Sequence, residues 1–135
     1  MVDYYLSLVI PVYNEEGNLE NLAKKIKETL SVLGKSYEVI FVNDGSTDKS
    51  LGILKNIVSG EVDWRLINFR KNFGQTAALA AGIDHAQGKI IIPMDADLEN
   101  DPADIPNLLA KINKGFDVVS GWRENRWKKK FFTRR

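Results

Sequence analysis

Two aspartates one residue apart, Asp95 and Asp97, close the apolar run Ile90-Ile91-Ile92-Pro93-Met94, and Glu99 follows them. Carboxylates gathered at one point suit a hard divalent cation, Mg²⁺ or Mn²⁺. Such an ion takes one or two protein carboxylates, keeps waters and accepts substrate phosphate oxygens. Residues two apart in an extended strand share a face, so Asp95 and Asp97 can act together. Asp-x-Asp is short enough to recur by chance, and a polar turn capping the next helix is the other reading. Asp44 precedes Gly45, where it can form a turn or accept from a nucleobase N–H or a ribose hydroxyl. Tyr13 has the shape to lie along a base, and Asn14 and Glu15 can cap a helix. Arg70 and Lys71 suit a diphosphate or a solvated face. His85, the sole histidine, is read as packing rather than catalysis, as is Trp64.

These residues need elements to position them. Residues 5–12, 37–42, 64–69, 89–94 and 116–120 are apolar and β-rich, so each predicts a strand, with Pro11 at a strand end or edge. Between them, apolar residues recur at helical spacing. Leu19, Leu22, Ala23, Ile26 and Leu30 mark a first helix, stopped near Gly34. Leu51, Leu54, Ile57 and Val58 mark a second, and alanine-rich 74–86 a third. Ile105, Leu108, Leu109 and Ile112 mark a fourth, with Asp101 as N-cap, Pro102 at the first helical position and Gly115 at the end. Strict alternation with strands apolar on both faces predicts an α/β fold, a mostly parallel sheet between helices. Ligands of such sheets bind beyond the carboxyl ends of the strands. Each polar cluster falls there: Tyr13 to Glu16, Asn43 to Ser46, Arg70 to Gly74, Asp95 to Glu99, and Gly121-Trp122-Arg123.

The 135 residues suffice for one domain with a core. Apolar residues make up 44% and charged residues 27%, the balance of a globular protein. No cysteine is present, which excludes disulfides and thiolate metal sites. No apolar stretch nears the roughly 20 residues that span a bilayer, and the first residues lack the features of a signal peptide. Net charge is +1, yet residues 123–135 hold seven basic residues and one acid, leaving −5 on the preceding 122. This basic block predicts a polyanionic partner; the alternative is a frayed, solvated terminus. Trp127, Phe131 and Phe132 among the cations suit an anionic membrane surface.

In order along the chain stand Pro11-Val12-Tyr13-Asn14-Glu15, Val42-Asn43-Asp44-Gly45-Ser46-Thr47-Asp48, Asn68-Phe69-Arg70-Lys71-Asn72-Phe73-Gly74-Gln75 and Met94-Asp95-Ala96-Asp97-Leu98. Together they resemble the family 2 glycosyltransferases of GT-A fold. The run from Asp95 to Pro102 and the ending Val119-Ser120-Gly121-Trp122-Arg123 are similar to the polyprenyl-phosphate branch. That branch includes dolichol-phosphate mannosyltransferases and undecaprenyl-phosphate glycosyltransferases. The resemblance implies a three-layer α/β/α, Rossmann-like donor domain over residues 1–122 and the start of an acceptor- or membrane-facing segment over 123–135. It implies a nucleotide pocket of Pro11, Tyr13, Glu15, Asp44, Asp95 and Ala96. Asp95 and Asp97 would hold the metal, with Glu99 where relatives often carry Gln; Asn43 stands where relatives commonly carry Asp. Arg123 would face the acceptor phosphate, with Arg134 or Arg135 as a second contact, and Asp97 and Arg123 would be the catalytic residues.

The implied activity is an inverting, metal-dependent transfer of a sugar from a UDP- or GDP-linked donor to a polyprenyl phosphate. It would run at the cytoplasmic face of a membrane, with no nucleic acid partner. A phosphate acceptor is already ionised near neutral pH, with a second pKa of about 6, so no strong general base is needed. Family members continue past residue 135, so the expectation is the donor-binding part of a longer enzyme. Three alternatives remain: a saccharide or other lipid acceptor, a nucleotide-sugar-binding module without turnover, and a phosphatase with an aspartyl nucleophile. The last leaves the upstream motifs unexplained.

Overall fold

The computed structural model describes residues 3–115 with their side chains, and the backbone of 118–123 and 126–134. In chain order the elements are β1 (Leu6–Val12), α1 (Leu19–Ser31), β2 (Tyr37–Asn43), α2 (Ser50–Ser59), β3 (Trp64–Asn68), α3 (Gln75–His85) and β4 (Ile90–Pro93). A 3₁₀ turn (Pro102–Asp104) then leads into α4 (Ile105–Asn113), β5 (Val118–Arg123) and β6 (Arg126–Arg134). The sheet order is β3-β2-β1-β4-β6-β5. β1 to β4 are parallel, and β6 runs antiparallel to both β4 and β5.

Strand periodicity of two divides the core into layers. Leu8, Ile10, Phe41 and Ile92 face α1, α2 and α4, meeting Leu22, Ile26, Leu54 and Leu109. Val9, Ile40, Val42 and Ile91 face α3 on the other side. Both faces are covered, so the strands read as apolar runs without alternation. The buried residues of α3 are Ala78 and Gly82, with Leu79 and Ile83 partly buried beside them. A Cβ on Gly82 would lie 2.3 Å from Val9 Cγ1, so this glycine sets how closely the helix approaches β1. Trp64 is packing, as expected, against Phe41 at a ring separation of 5.9 Å.

Pro11 is the last residue but one of β1, at the strand end as expected, although β1 is a central strand. Met94 N donates to Val9 O, and Asp44 N to Val12 O. Odd-numbered residues of β1 thus point their backbone groups toward β4. Pairing of β1 with β4 stops at Val9 and Pro93, so the proline lacks a donor only where β4 has already ended. The sheet departs from expectation at its C-terminal side. The fifth strand continues through Gly121 and Trp122 to Arg123, and the basic block forms β6, inserted between β4 and β5. Trp, Phe and Thr favour strands, while the lysines between them gave this stretch the signature of a charged segment.

Away from the strand ends, Glu38 is 1% exposed. Its carboxylate accepts from Ser7 Oγ at 2.6 Å, Arg65 Nη2 at 2.7 Å and Gln87 N at 2.6 Å. A buried charge needs this degree of pairing. The cluster joins the turn after α3 to β1, β2 and β3.

Candidate active site

The strand order reverses at β1: the chain steps outward through β2 and β3, then returns to place β4 on the other side. In open α/β sheets such a switch leaves a crevice beyond the carboxyl ends of the strands. Here Pro11 and the end of β4 at Pro93 separate the two strands, and a cavity of about 290 Å³ lies between them. Its wall includes Pro11, Tyr13, Glu15, Asp44, Asp95, Ala96 and Asp97, so these seven sequence candidates share one space.

Asp95, Asp97 and Glu99 leave β4 in a turn, not in the extended strand expected for the pair. Leu98 sits at φ 63°, a left-handed conformation costing about 1 kcal/mol for a residue with a Cβ. Its side chain packs against the core, which holds the turn. Glu99 N donates to Asp97 Oδ1 at 3.0 Å. The turn folds Glu99 back, so one oxygen from each acid lies within 4.8 Å of the others. An all-oxygen set this close fits a hard cation, whose ligands sit at about 2.0–2.6 Å from the ion. In the same loop Asn100 Oδ1 is buried without a hydrogen-bond partner among the described residues. The capping reading of this stretch falls to Asp101, whose Oδ1 accepts from Ala103 N at 2.9 Å.

Asp44, 3% exposed, is held on the opposite wall. It accepts from Asn72 Nδ2 at 3.0 Å, Phe73 N at 2.8 Å and Gly74 N at 3.1 Å. A carboxylate offers about four acceptor positions, so three donors leave capacity for one more. The two amides lie just before α3, whose positive dipole end favours nearby acids. Gly45 makes this approach possible. Its φ is +69°, and a Cβ there would lie 2.3 Å from Asn72 N.

Tyr13 is 46% exposed at the mouth. Glu15 accepts from Asn18 Nδ2 at 2.7 Å and lines the cavity. Asn14, at φ 52°, accepts at Oδ1 from Thr47 N at 2.7 Å and Asp48 N at 3.2 Å. Burial tends to raise the Asp48 pKa. Hydrogen bonds from the Ser50 hydroxyl and amide and the Glu16 amide outweigh it and hold the group below 3.8.

Some candidates lie elsewhere. Arg70 and Lys71 line a neighbouring depression with Ser46 and Thr47, not the cavity of the acids; Lys71 sits over the Phe73 ring at 5.1 Å. His85 bonds through Nδ1 to Ala81 O at 2.9 Å, away from the acids. Arg123 pairs with Arg126 at the hairpin tip, and β5 runs parallel to β4, so its backbone is on the rim of the acids. Arg134 pairs with Ile90, the first residue of β4. From there to Asp95 an extended chain climbs roughly 16 Å, so Arg134 belongs to the other end of the sheet. Its backbone is therefore far from the acids, unlike the second acceptor contact expected of it, and Arg135 lies outside the described residues.

Two residues at this site carried no assigned role in the sequence reading. Asn72 anchors Asp44, and Gln75 Nε2 donates to Asp95 Oδ1 at 3.0 Å. Both stand in the motif around Gly74, but only the fold shows that the start of α3 lies between the two acids.

The family profile of glycosyl transferase family 2 matches residues 7–135. The chain belongs to this family. It is 45% identical over 130 residues to an uncharacterized glycosyltransferase of Synechocystis, covering 93% of this chain and 41% of that relative. It is 43% identical over 123 residues to the undecaprenyl-phosphate 4-deoxy-4-formamido-L-arabinose transferase of Salmonella paratyphi B, covering 90% of this chain and 37% of that relative. The chain thus spans about two fifths of the length of these curated relatives. Among solved structures, the Pyrobaculum calidifontis mannosyltransferase PcManGT in complex with GDP-Man and Mn²⁺ aligns with a TM-score of 0.72 at 22% identity, over 93% of this chain and 37% of that one. S. aureus TarS in complex with UDP-GlcNAc aligns with a TM-score of 0.72 at 21% identity, over 90% of this chain and 37% of that one. At these identities the two structures establish the shared GT-A architecture.

Proposed function

We propose that this chain provides the donor side of a metal-dependent, inverting sugar transfer from a nucleotide sugar to a polyprenyl phosphate. The observation that carries this reading is the gathering of Tyr13, Glu15, Asp44, Asp95 and Asp97 around one cavity at the strand switch. The nucleoside lies between Tyr13 and Asp44, whose remaining acceptor position takes a base N–H or a ribose hydroxyl. Asp95, Asp97 and Glu99 would hold Mg²⁺ or Mn²⁺, which would supply neutralisation of charge on the leaving diphosphate. A phosphate oxygen of the acceptor forms the new bond to the anomeric carbon from the face opposite the diphosphate. The old C–O bond breaks, its electron pair leaves on the nucleoside diphosphate, and the anomeric configuration inverts. Arg123, on the same rim, is assigned to the acceptor phosphate, which needs a cation partner more than a base.

The relative named for transfer on undecaprenyl phosphate supports a lipid phosphate over a saccharide acceptor. The reaction then runs at a membrane surface, on its cytoplasmic side. Among the described residues no helix is long and apolar enough to cross a membrane. The test offers UDP- and GDP-sugars with Mg²⁺ or Mn²⁺ against a polyprenyl phosphate and, separately, saccharides. Transfer to the lipid phosphate, lowered roughly a hundredfold by Asp97→Ala, is expected. Saccharide preference, or native rates in the variant, would overturn the reading.

A further inference from the structure

Asp44 and Asp95 stand beyond strands that are not neighbours. β2 and β4 are separated by β1, a gap of roughly 10 Å between backbones. The link between the acids runs through the start of α3. Asp44 fixes this segment by accepting from Asn72 Nδ2, Phe73 N and Gly74 N. The next residue, Gln75, donates across the crevice to Asp95 Oδ1. Gly74 has φ 103° and ψ 158°, which ends the loop and starts the helix within one residue. Gly45 meets the backbone of Lys71 and Asn72 too closely to admit a Cβ, so the loop has little slack. Gln75 itself is exposed and contributes nothing to the core.

We propose that Gln75 is a positioning residue that orients Asp95 for the cation and couples it to the nucleoside side of the cavity through Gly74, Phe73 and Asp44. This rests on the nucleotide and cation reading of the cavity. Its amide hydrogen fixes one carboxylate oxygen and so sets where the other points, as groups behind metal ligands commonly do. A ligand that moves Asp44 moves the two amides it binds, and with them the base of the Gln75 side chain. Sites linked this way change each other's affinity by the same factor.

Gln75→Met tests this, since methionine keeps the length and helix preference of glutamine but has no donor. Mn²⁺ is titrated calorimetrically into the native chain and the variant, alone and with saturating uridine or guanosine. A nucleoside has no phosphate and cannot contact the ion through one. The expected result is an Mn²⁺ affinity about tenfold weaker in Gln75→Met, with an unchanged unfolding temperature. The nucleoside that binds should tighten Mn²⁺ binding in the native chain and leave the variant unaffected. Equal Mn²⁺ affinities in the two proteins would overturn the positioning role. Equal tightening by nucleoside in both would overturn the coupling. Weaker Mn²⁺ binding in the variant with neither nucleoside bound would keep the positioning role while the nucleotide reading fails.

Discussion

Gly45 is the residue on which the two site loops depend. It has a left-handed φ, and any Cβ would strike the backbone of Lys71 and Asn72. Gly45→Ala should lower stability by about 2 kcal/mol or more, measured by denaturant unfolding, and should weaken nucleotide binding by displacing Asp44. Asp48 gives a second prediction. Its pKa is depressed in the folded protein, so its contribution is fully present above 3.8 and is lost as pH falls through the lower folded value. Asp48→Asn should flatten the acid limb of the stability curve below that point, followed by unfolding across a pH series. The candidate acids were legible from residue type and spacing, because Asp95, Asp97 and Glu99 fall within five residues of one another. Asn72 and Gln75 were not. An uncharged amide carries no chemical signature of its own, and its role is set by what the fold places opposite it. Arg70 and Lys71, read for either a diphosphate or a solvated face, are exposed in the depression beside the cavity.

At the scale of elements, the alternation of strands and helices was legible because each buried strand is an uninterrupted apolar run. Pro11 was legible as a strand end but not as part of a central strand, where a proline is tolerated because the neighbouring strand has stopped. The basic block was harder still. Its lysines concealed β6, whose pairing with β4 depends on contacts far apart in the chain. The entry into β1 provides a test at this scale. The Tyr4 hydroxyl donates to Asp63 Oδ1 at 2.6 Å, tying the segment that enters β1 to the residue before β3. That hydrogen bond, then burial and the Asp63 charge, push the Tyr4 pKa from 10.0 up to about 12. A raised pKa favours the protonated form, so the stabilisation is complete below pH 10 and is lost as pH rises toward 12. One of the four tyrosines should therefore titrate late when phenolate absorbance is followed. Tyr4→Phe should remove that late step.

At the scale of the whole molecule, polar loops from β1, β2, β3 and β4 meet on one rim, and the backbone of Arg123 at the end of β5 lies on the same rim. The acidic body holds the crevice, and the basic residues from 123 onward start at the end of β5 and run through β6, which pairs with β4. This division matches a donor whose diphosphate needs a cation on acids and an acceptor phosphate that needs arginine or lysine. The central claim is that the crevice binds a nucleoside diphosphate through a cation on Asp95, Asp97 and Glu99. Calorimetric titration of UDP and GDP into the native chain and Asp97→Ala, each with Mn²⁺ and with a chelator, tests it most directly. The account predicts that at least one nucleotide binds the native chain with Mn²⁺, and that binding weakens at least roughly tenfold with the chelator or in Asp97→Ala. Binding that is equally tight without the cation and in the variant, or no binding of either nucleotide, would contradict it.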